Sequence, residues 1–516
     1  MSVSGKDGRR AGLGAIAGVL AAGTALGVGQ FVAGLTGASG SPVVVVGELQ
    51  IDFTPAWLKN FAISEFGADD KLVLVSGILV ALGVFAAVIG AAATRRMAYG
   101  MAGVAVFAVV GLTAAATRPD ATVASLLPTL AATATAVAVL QLLIPLARPA
   151  EPGTDEPEGF EGPRRRRFLV AGAATAGIAA GAGLAGRLLT EQGSVARAQK
   201  SLRIPRSPLL SQALPPGADL HIPGLAPFVT PNGSFYRVDT ALVLPQVDPS
   251  SWQLRIHGMV SREITLTFDQ LIKRPLIEDY ITVCCVSNPV DGPYIGNAKW
   301  LGASLAAVLR QAGIKAGADQ LLCTSVDGFT SGTPVQTVMD GRDALLAVAM
   351  NGQPLPIAHG FPARMVVPGL YGYVSATKWV TDIEVTTFAG NYAYWAQRGW
   401  SQRAPIKTEC RIDVPNGQDE IRAGTTAVAG VAWAQHKGIE AVEVRVDRGP
   451  WQEARLAAVP GLDTWRQWVW EWQATSGPHV LEARATDKTG YTQTAALAPP
   501  EPNGATGYPM ASVAVR

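Results

Sequence analysis

The chain reads as an N-terminal α-helical transmembrane bundle followed by two soluble parts, an α+β domain and a C-terminal β-sandwich. Three observations predict this. Hydrophobic residues make up 48% of the 516 positions and charged residues only 16%, against about 25% charged in ordinary soluble proteins. The deficit falls on residues 11–147 and 168–190, which are nearly free of charge. From about Phe228 short strand-like and helical patterns alternate, and after about Ala404 strands and turns dominate. A formal net charge of +2 gives no polybasic surface of the kind that binds nucleic acid.

Four apolar runs come first: Ala11–Leu35, Leu72–Ala93, Met97–Thr117 and Ala121–Leu146. Each has about 20 or more residues, enough to cross a bilayer core. They are rich in Gly and Ala, which lets helices pack closely. Ser41–Asp70, with Trp57 and Phe61, suits an interfacial segment. Residues 1–148 therefore form a four-helix region, 149–167 a cytoplasmic linker, and 168–190 a fifth membrane helix. Lys6, Arg9, Arg10, Arg95, Arg96, Arg148 and Arg164–Arg167 all fall on one side if every run spans. By the positive-inside rule that side is cytoplasmic, so everything after residue 190 lies outside. Arg165-Arg166-Arg167-Phe168-Leu169 reads either as an internal twin-arginine export signal or as a plain positive stop beside a membrane helix. All five histidines (221, 257, 359, 436, 479) follow the last span, so the bundle cannot hold a bis-histidine haem. The spans look like an anchor or a dock more than an ion pump.

Residues 191–227 are Pro-rich and polar, a tether. The α+β domain is assigned to residues 228–390. Trp252–His257 alternates as a strand, Ile264–Phe268 is another, and Asp269 is placed as the cap of a short helix through Leu271. Ser304–Ala312 spaces its apolar residues as a helix does, and Asn351-Gly352 marks a hairpin. Residues 391–516 form the sandwich. Ala441–Asp447 alternates strictly, Val480–Thr486 is a further strand, and Trp468, Trp470 and Trp472 share one strand face, as core or subunit interface. Cys323 and Cys410 read as buried thiols, and His257 as structural.

The chemistry concentrates in three places. Cys285 sits in Ile281–Asn288, His359 and Arg364 come about seventy residues later, and Thr377-Lys378-Trp379 follow. A thiolate suits a soft or oxidisable metal. Arg, Lys and His suit the phosphate of an organic cofactor. Adjacent Cys284 and Cys285 would pair only with strain, and they lack the spacing of a thiol redox motif.

Together these residues resemble the sulfite-oxidase family of molybdenum oxidoreductases. The resemblance covers residues about 225–515. It rests on Phe235-Tyr236-Arg237-Val238-Asp239, Cys285-Val-Ser-Asn288, Ser325-Val-Asp327, His359–Arg364, Val367-Pro-Gly369 and Ala376-Thr377-Lys378-Trp379. It implies a sulfite-oxidase-type molybdopterin-binding domain, an immunoglobulin-like sandwich of the kind that mediates dimer contacts, and a Mo-molybdopterin cofactor. It implies that Cys285 ligates molybdenum, which would cycle between oxidation states VI and IV as an oxygen atom moves between a small-molecule substrate and water. Phe235, Tyr236, Arg237 and Asp239 would lie beside the cofactor, with Arg237 also facing substrate. Asp327, His359, Arg364, Ala376, Thr377 and Lys378 would hold the pterin or its phosphate. Electrons would pass to a separate haem protein or a quinone-linked carrier.

Two departures stand out. Trp400 occupies the place of the family's tyrosine, and Val374-Ser375 precedes Ala376 where sulfite oxidases carry an arginine. With one cationic group fewer, a sulfoxide or amine oxide fits better than sulfite. The competing expectation is a non-catalytic, membrane-anchored binding or scaffold protein with a degenerate cofactor site.

Overall fold

The structure, a computed structural model, describes residues 3–36, 40–55, 70–118, 121–148, 163–191, 193–205, 213–416 and 421–516. It divides into two units, residues 1–197 with 240–246, and residues 198–239 with 247–516. Trp57 and Phe61 of the expected interfacial segment, and most of the expected cytoplasmic linker, lie outside the described residues.

The first unit is helical: α1 (Val3–Thr36), α2 (Pro42–Phe53), α3 (Asp70–Arg95), α4 (Met97–Ala116), α5 (Val123–Ala147) and α6 (Pro163–Glu191). Five of these are long and apolar enough to cross a membrane, in the places the sequence predicts; α2 is a shorter apolar helix. Helix α1 touches its neighbours backbone to backbone. A methyl group at Gly34 would lie 2.6 Å from the Gly186 carbonyl oxygen, and one at Gly18 would lie 3.0 Å from Gly90 Cα. Small residues permit this approach, and dispersion across the seam replaces a hydrophobic driving force that lipid does not supply. Two guanidinium groups meet the C-terminal carbonyls of α3, and a third meets the carbonyl that follows α5. Arg10 donates to the Thr94 carbonyl. Arg148 donates to Ala93 and Thr94, at 2.9 and 3.2 Å, and Arg164 donates to the Arg148 carbonyl at 3.4 Å. Cations there satisfy orphan carbonyls and oppose the helix dipole.

The second unit begins with α7 (Ser194–Ser201), only its last four residues included, so the expected tether is partly helical. The later tether residues are bound rather than loose. The Leu220 amide donates to Gln467 Oε1 at 2.7 Å and the Ala226 amide to Asp413 Oδ2 at 3.0 Å.

The α+β part holds two five-stranded sheets. One has the order β2-β1-β10-β5-β6 and the other β3-β4-β7-β8, with β9 also paired to β7. The strands are β1 (Gln253–Gly258), β2 (Ile264–Thr267), β3 (Leu276–Cys284), β4 (Ile295–Ser304), β5 (Gln320–Ser325), β6 (Thr330–Pro334), β7 (Leu345–Met350), β8 (Gln353–Pro354), β9 (Arg364–Val366) and β10 (Val380–Thr386). Short helices α8 (Phe268–Ile272), α9 (Leu305–Ala312), α10 (Val335–Met339) and α11 (Gly372–Ser375) connect them. The cap of α8 is Thr267 and not Asp269. The Thr267 hydroxyl accepts from the Gln270 amide and Gln270 reaches back, a reciprocal capping box that the sequence Thr-Phe-Asp-Gln encodes. The hairpin forms as expected, with Asn351 and Gly352 both at positive φ.

The last part has two four-stranded antiparallel sheets, β11-β12-β16-β15 and β14-β13-β17-β18. These strands are β11 (Glu409–Val414), β12 (Gly424–Trp433), β13 (Ile439–Val446), β14 (Gln452–Glu453), β15 (Arg455–Leu456), β16 (Arg466–Ala474), β17 (Gly477–Asp487) and β18 (Met510–Val515). One core draws on both sheets, including Val428, Trp468 and Trp472 from the first and Val442, Leu481 and Val513 from the second. The tryptophan stripe is therefore core, with Trp470 packed at its margin. Leu481 is fully buried there. Leu481→Ala is expected to destabilise the chain by about 2–5 kcal/mol, read as a lower denaturant midpoint of the detergent-purified protein.

Candidate active site around Cys285

Cys285 follows the last residue of β3, and a tight loop holds it. Its amide donates to the Tyr294 carbonyl at 2.9 Å and its carbonyl accepts from the Asn288 amide at 3.1 Å. Asn288 Oδ1 closes the loop by accepting from the Tyr294 amide at 2.7 Å. Burial pushes the Cys285 thiol pKa up. The Ser287 amide and hydroxyl, the Lys378 ammonium and the Val286 amide all act in the opposite sense. Burial dominates, so the thiol pKa stays raised, while these donors work toward the thiolate, the form that binds a metal. Asn288 is buried, and its Nδ2 has no partner among the described residues.

The arm Phe235–Asp239 runs beside this loop. The Phe235 ring lies over Gly296, where a Cβ would come within 2.7 Å of it. It meets Trp300 and His359 edge-on, at 5.9 and 5.5 Å, and stacks with Tyr236 at 5.3 Å. Burial raises the Tyr236 phenol well above its usual pKa, and the nearby Cys285 and Cys284 add to this. Arg237 is largely exposed; its Nε lies 3.2 Å from Asp239 Oδ2. The same carboxylate oxygen accepts from Lys378 Nζ at 2.8 Å. Asp239 thus ties the two cations together.

Arg364 is the opposite case, a buried guanidinium. It donates to the carbonyls of His359, Ala376 and Met365 at 3.1, 3.2 and 3.4 Å and lies 5.0 Å over the Trp300 ring. Among the described residues no carboxylate pairs with it. Burial lowers its pKa to about 10. His359 Nε2 sits 3.2 Å from the Asn232 carbonyl, which can only accept, so that nitrogen carries the proton. Burial, with Arg364 and Lys378 nearby, lowers the His359 pKa to about 4. Gly360 has φ 106°, and a Cβ there would lie 2.9 Å from Arg364 Cβ and 3.2 Å from Lys378 Cα. Only glycine lets these two cationic segments close on each other.

Of the residues chosen from sequence, Phe235, Tyr236, Arg237, Asp239, Cys285, His359, Arg364, Ala376 and Lys378 come together. Thr377 is buried in the same segment, but its hydroxyl is 2.6 Å from Ser331 Oγ. Asp327 stands on the β5–β6 turn, where its Oδ1 accepts from the Phe329 amide at 3.2 Å. Its neighbour Val326 bonds to the Trp379 carbonyl at 3.0 Å, which brings the turn to the end of the Lys378 segment. Ser375, at the departure from the family pattern, is buried and donates to the Leu370 carbonyl at 2.9 Å. His257 pairs with Asp382 on the neighbouring strand, 3.0 Å away, and Cys323 and Cys410 are buried.

The sequence did not single out Ser287, Trp300 or Glu409. Ser287 lies inside the cysteine run and was readable there. Trp300 and Glu409 carry no local signal. Glu409 is buried with an unpartnered Oε1, and burial raises its pKa to about 8. It lies close enough to Cys284 to raise that thiol further.

This geometry suits a metal bound through sulfur and an organic anion bound through Arg364, Lys378 and His359. Residues 241–395 match the family described as the oxidoreductase molybdopterin binding domain. Mitochondrial sulfite oxidase of Mus musculus is 30% identical over 296 residues, covering 48% of this chain and 52% of that protein. The uncharacterized oxidoreductase YuiH of Bacillus subtilis (strain 168) is 30% identical over 156 residues, covering 30% of this chain and 75% of that protein. The crystal structure of the sulfane dehydrogenase SoxCD from Paracoccus pantotrophus aligns with a TM-score of 0.47 at 24% identity, covering 56% of this chain and 79% of that one. The fold and the site define a molybdopterin-binding oxidoreductase domain. The chain belongs to the sulfite-oxidase family of molybdopterin-dependent oxidoreductases, and its cofactor is Mo-molybdopterin. The chain spans about half the length of the sulfite oxidases it matches.

The residues present fit that group. Among the described residues the buried Arg364 cation meets only carbonyls and a ring face, and the buried Asn288 Nδ2 has no partner. Gly360→Ala is expected to lower bound molybdenum per chain, measured by elemental mass spectrometry, while far-ultraviolet circular dichroism keeps its native shape. A pH effect also follows for the cofactor-free protein. The folded state protonates His359 less readily than the unfolded chain, so stability falls as pH drops from about 6.5 toward about 4. His359→Gln is expected to flatten that loss, read from denaturant midpoints at about pH 7 and about pH 5.

Proposed function

We propose that this chain is a membrane-anchored, multi-pass oxidoreductase whose catalytic part lies outside the cytoplasm and transfers an oxygen atom to or from a small molecule. The observation that carries this reading is the placement of Cys285 and Lys378 near a buried Arg364 that no carboxylate among the described residues neutralises. Cys285 would ligate the metal. Arg364 and Lys378 would hold the phosphate end of the cofactor, and His359, Asp327 and the Ala376–Lys378 segment its pterin. When bound, the cofactor supplies two-electron oxygen-atom chemistry.

The protein's own residues hold, orient and exclude. His359 stays neutral, so its Nε2 proton stays fixed on the Asn232 carbonyl and the ring adds no charge. Asp239 fixes the position of Arg237, whose exposed guanidinium is free to meet a substrate oxygen. Ser375 offers no charge where sulfite oxidases have an arginine, which supports a sulfoxide or amine oxide over sulfite. Electrons would pass to a separate haem protein or quinone-linked carrier.

The convergence of Arg10, Arg148 and Arg164 on one end of the helices supports a cytoplasmic side there. Arg165-Arg166-Arg167-Phe168-Leu169 then fits a twin-arginine signal on the fifth span. The paired C-terminal sheets support an immunoglobulin-like sandwich of the dimerisation type.

Cys285→Ser is expected to abolish oxygen-atom transfer, assayed on sulfite, sulfoxides and amine oxides with an artificial electron carrier, while much of the cofactor stays bound. Full turnover in that variant, at native metal content, would overturn the ligand assignment.

A further inference from the structure

Residues 240–246 read Thr-Ala-Leu-Val-Leu-Pro-Gln, carry no charge and follow Asp239 directly. They belong to the first unit, while the chain on either side belongs to the second. Their seat within the first unit is specific. A Cβ on Gly47 of α2 would lie 2.8 Å from Leu242 Cδ1 and 3.3 Å from Ile78 Cδ1. Leu242 thus fills the hollow that a residue without a side chain leaves on α2, and Ile78 of α3 forms its rim. Gly47 and Ile78 are buried, as are Ala241 and Pro245 of the loop, whereas Val243 is exposed. Helix α2 is itself held firmly. Val45 shares a core with Ala114 and Ala115 of α4, and Glu48 pairs with Arg118 just past the end of α4.

The stretch that carries Arg237 therefore has two apolar pins. Phe235 sits on Gly296 against Trp300 and His359, and Leu242 sits on Gly47. Arg237 lies between them. Its carboxylate partner, Asp239, is on the same arm and cannot fix the arm itself. Lys378 reaches the arm at the Val238 carbonyl and Asp239, 3.3 and 2.8 Å away. That tie runs through a flexible four-carbon stem.

Resting on the oxygen-atom-transfer reading above, we infer that Leu242 is a positioning residue: seated on Gly47, it holds the arm so that the Arg237 guanidinium meets substrate at one place. Leu242 acts through Arg237 and touches no reacting atom. A substrate-positioning group displaced by about 1 Å can cost about a hundredfold in rate, and the second pin limits that drift. The helices thereby gain a task beyond anchoring.

The test uses the full-length, cofactor-loaded chain. Gly47→Cys and Leu242→Cys together are expected to be bridged by dibromobimane, which fluoresces once it joins two neighbouring thiols; the four native cysteines are buried. Leu242→Ala is expected to lower kcat/KM about tenfold on the best of the sulfite, sulfoxide and amine oxide substrates, at native molybdenum content and circular dichroism. Leu242→Met, similar in volume, is expected to restore it, and Val243→Ala to change it less than about twofold. In an Arg237→Ala background, Leu242→Ala is expected to cost less than about twofold more. A tenfold loss that persists without Arg237 overturns the positioning role, and absence of bridging in natively folded protein overturns the contact. An active wild-type chain with an unchanged Leu242→Ala variant overturns the role of Leu242 alone. A wild-type chain that turns over none of these substrates overturns the oxygen-atom-transfer reading and this role with it.

Discussion

A buried guanidinium that no carboxylate among the described residues meets is the constraint around which the α+β part is organised. Taking Arg364 out of water costs several kcal/mol unless its charge is met. Three carbonyls and the Trp300 face meet it only in part. Those same contacts staple the 356–364 loop to the 376–378 segment and seat both on β4. An anion arriving in this space completes the compensation, so binding and local order reinforce each other. Gly360 allows the two segments to meet, and Asp239 draws the remaining two cations onto one carboxylate oxygen.

The two soluble parts share the labour differently. The α+β sheets present strand ends and loops that carry the chemistry, as loops on rigid scaffolds commonly do. The C-terminal sheets contribute mass and order. Trp465 donates to the Phe228 carbonyl at 2.9 Å and Thr282 Oγ1 accepts from its amide at 2.7 Å. The strand that leads into Cys285 is thereby braced from the far side of the loop. Glu409, from the first of these sheets, brings a buried carboxyl near Cys284. Burial raises its pKa to about 8, which favours its protonated form at neutral pH.

Much of this was legible in the residues themselves. The five apolar helices follow from run length alone, and the hairpin at Asn351-Gly352 from turn chemistry. The residues that gather around Cys285 were legible as a set because each sits in a short run of its own. What was hidden depended on distance in the fold. Trp300 under Arg364 and Glu409 near Cys284 sit in strands whose patterns say only that they are buried. The cap of α8 went to Thr267 because a hydroxyl with a glutamine three residues on satisfies two amides, which Asp269 in the first turn cannot do. The stretch before Phe228 looked loose by composition, yet Asp413 and Gln467 supply partners for its amides. Polar composition marks a segment as soluble and says nothing about who binds it.

The glycine seam on α1 has a mechanical side. A leucine-lined helix can slip past its neighbour by trading one set of holes for another. Gly14 and Gly18 nest against Ala86–Thr94, and Gly27 and Gly34 against Ala179–Gly186. A shift along the axis would drive side chains into main chain at both ends of the helix. The first unit is therefore built as a locked bundle and not as a piston.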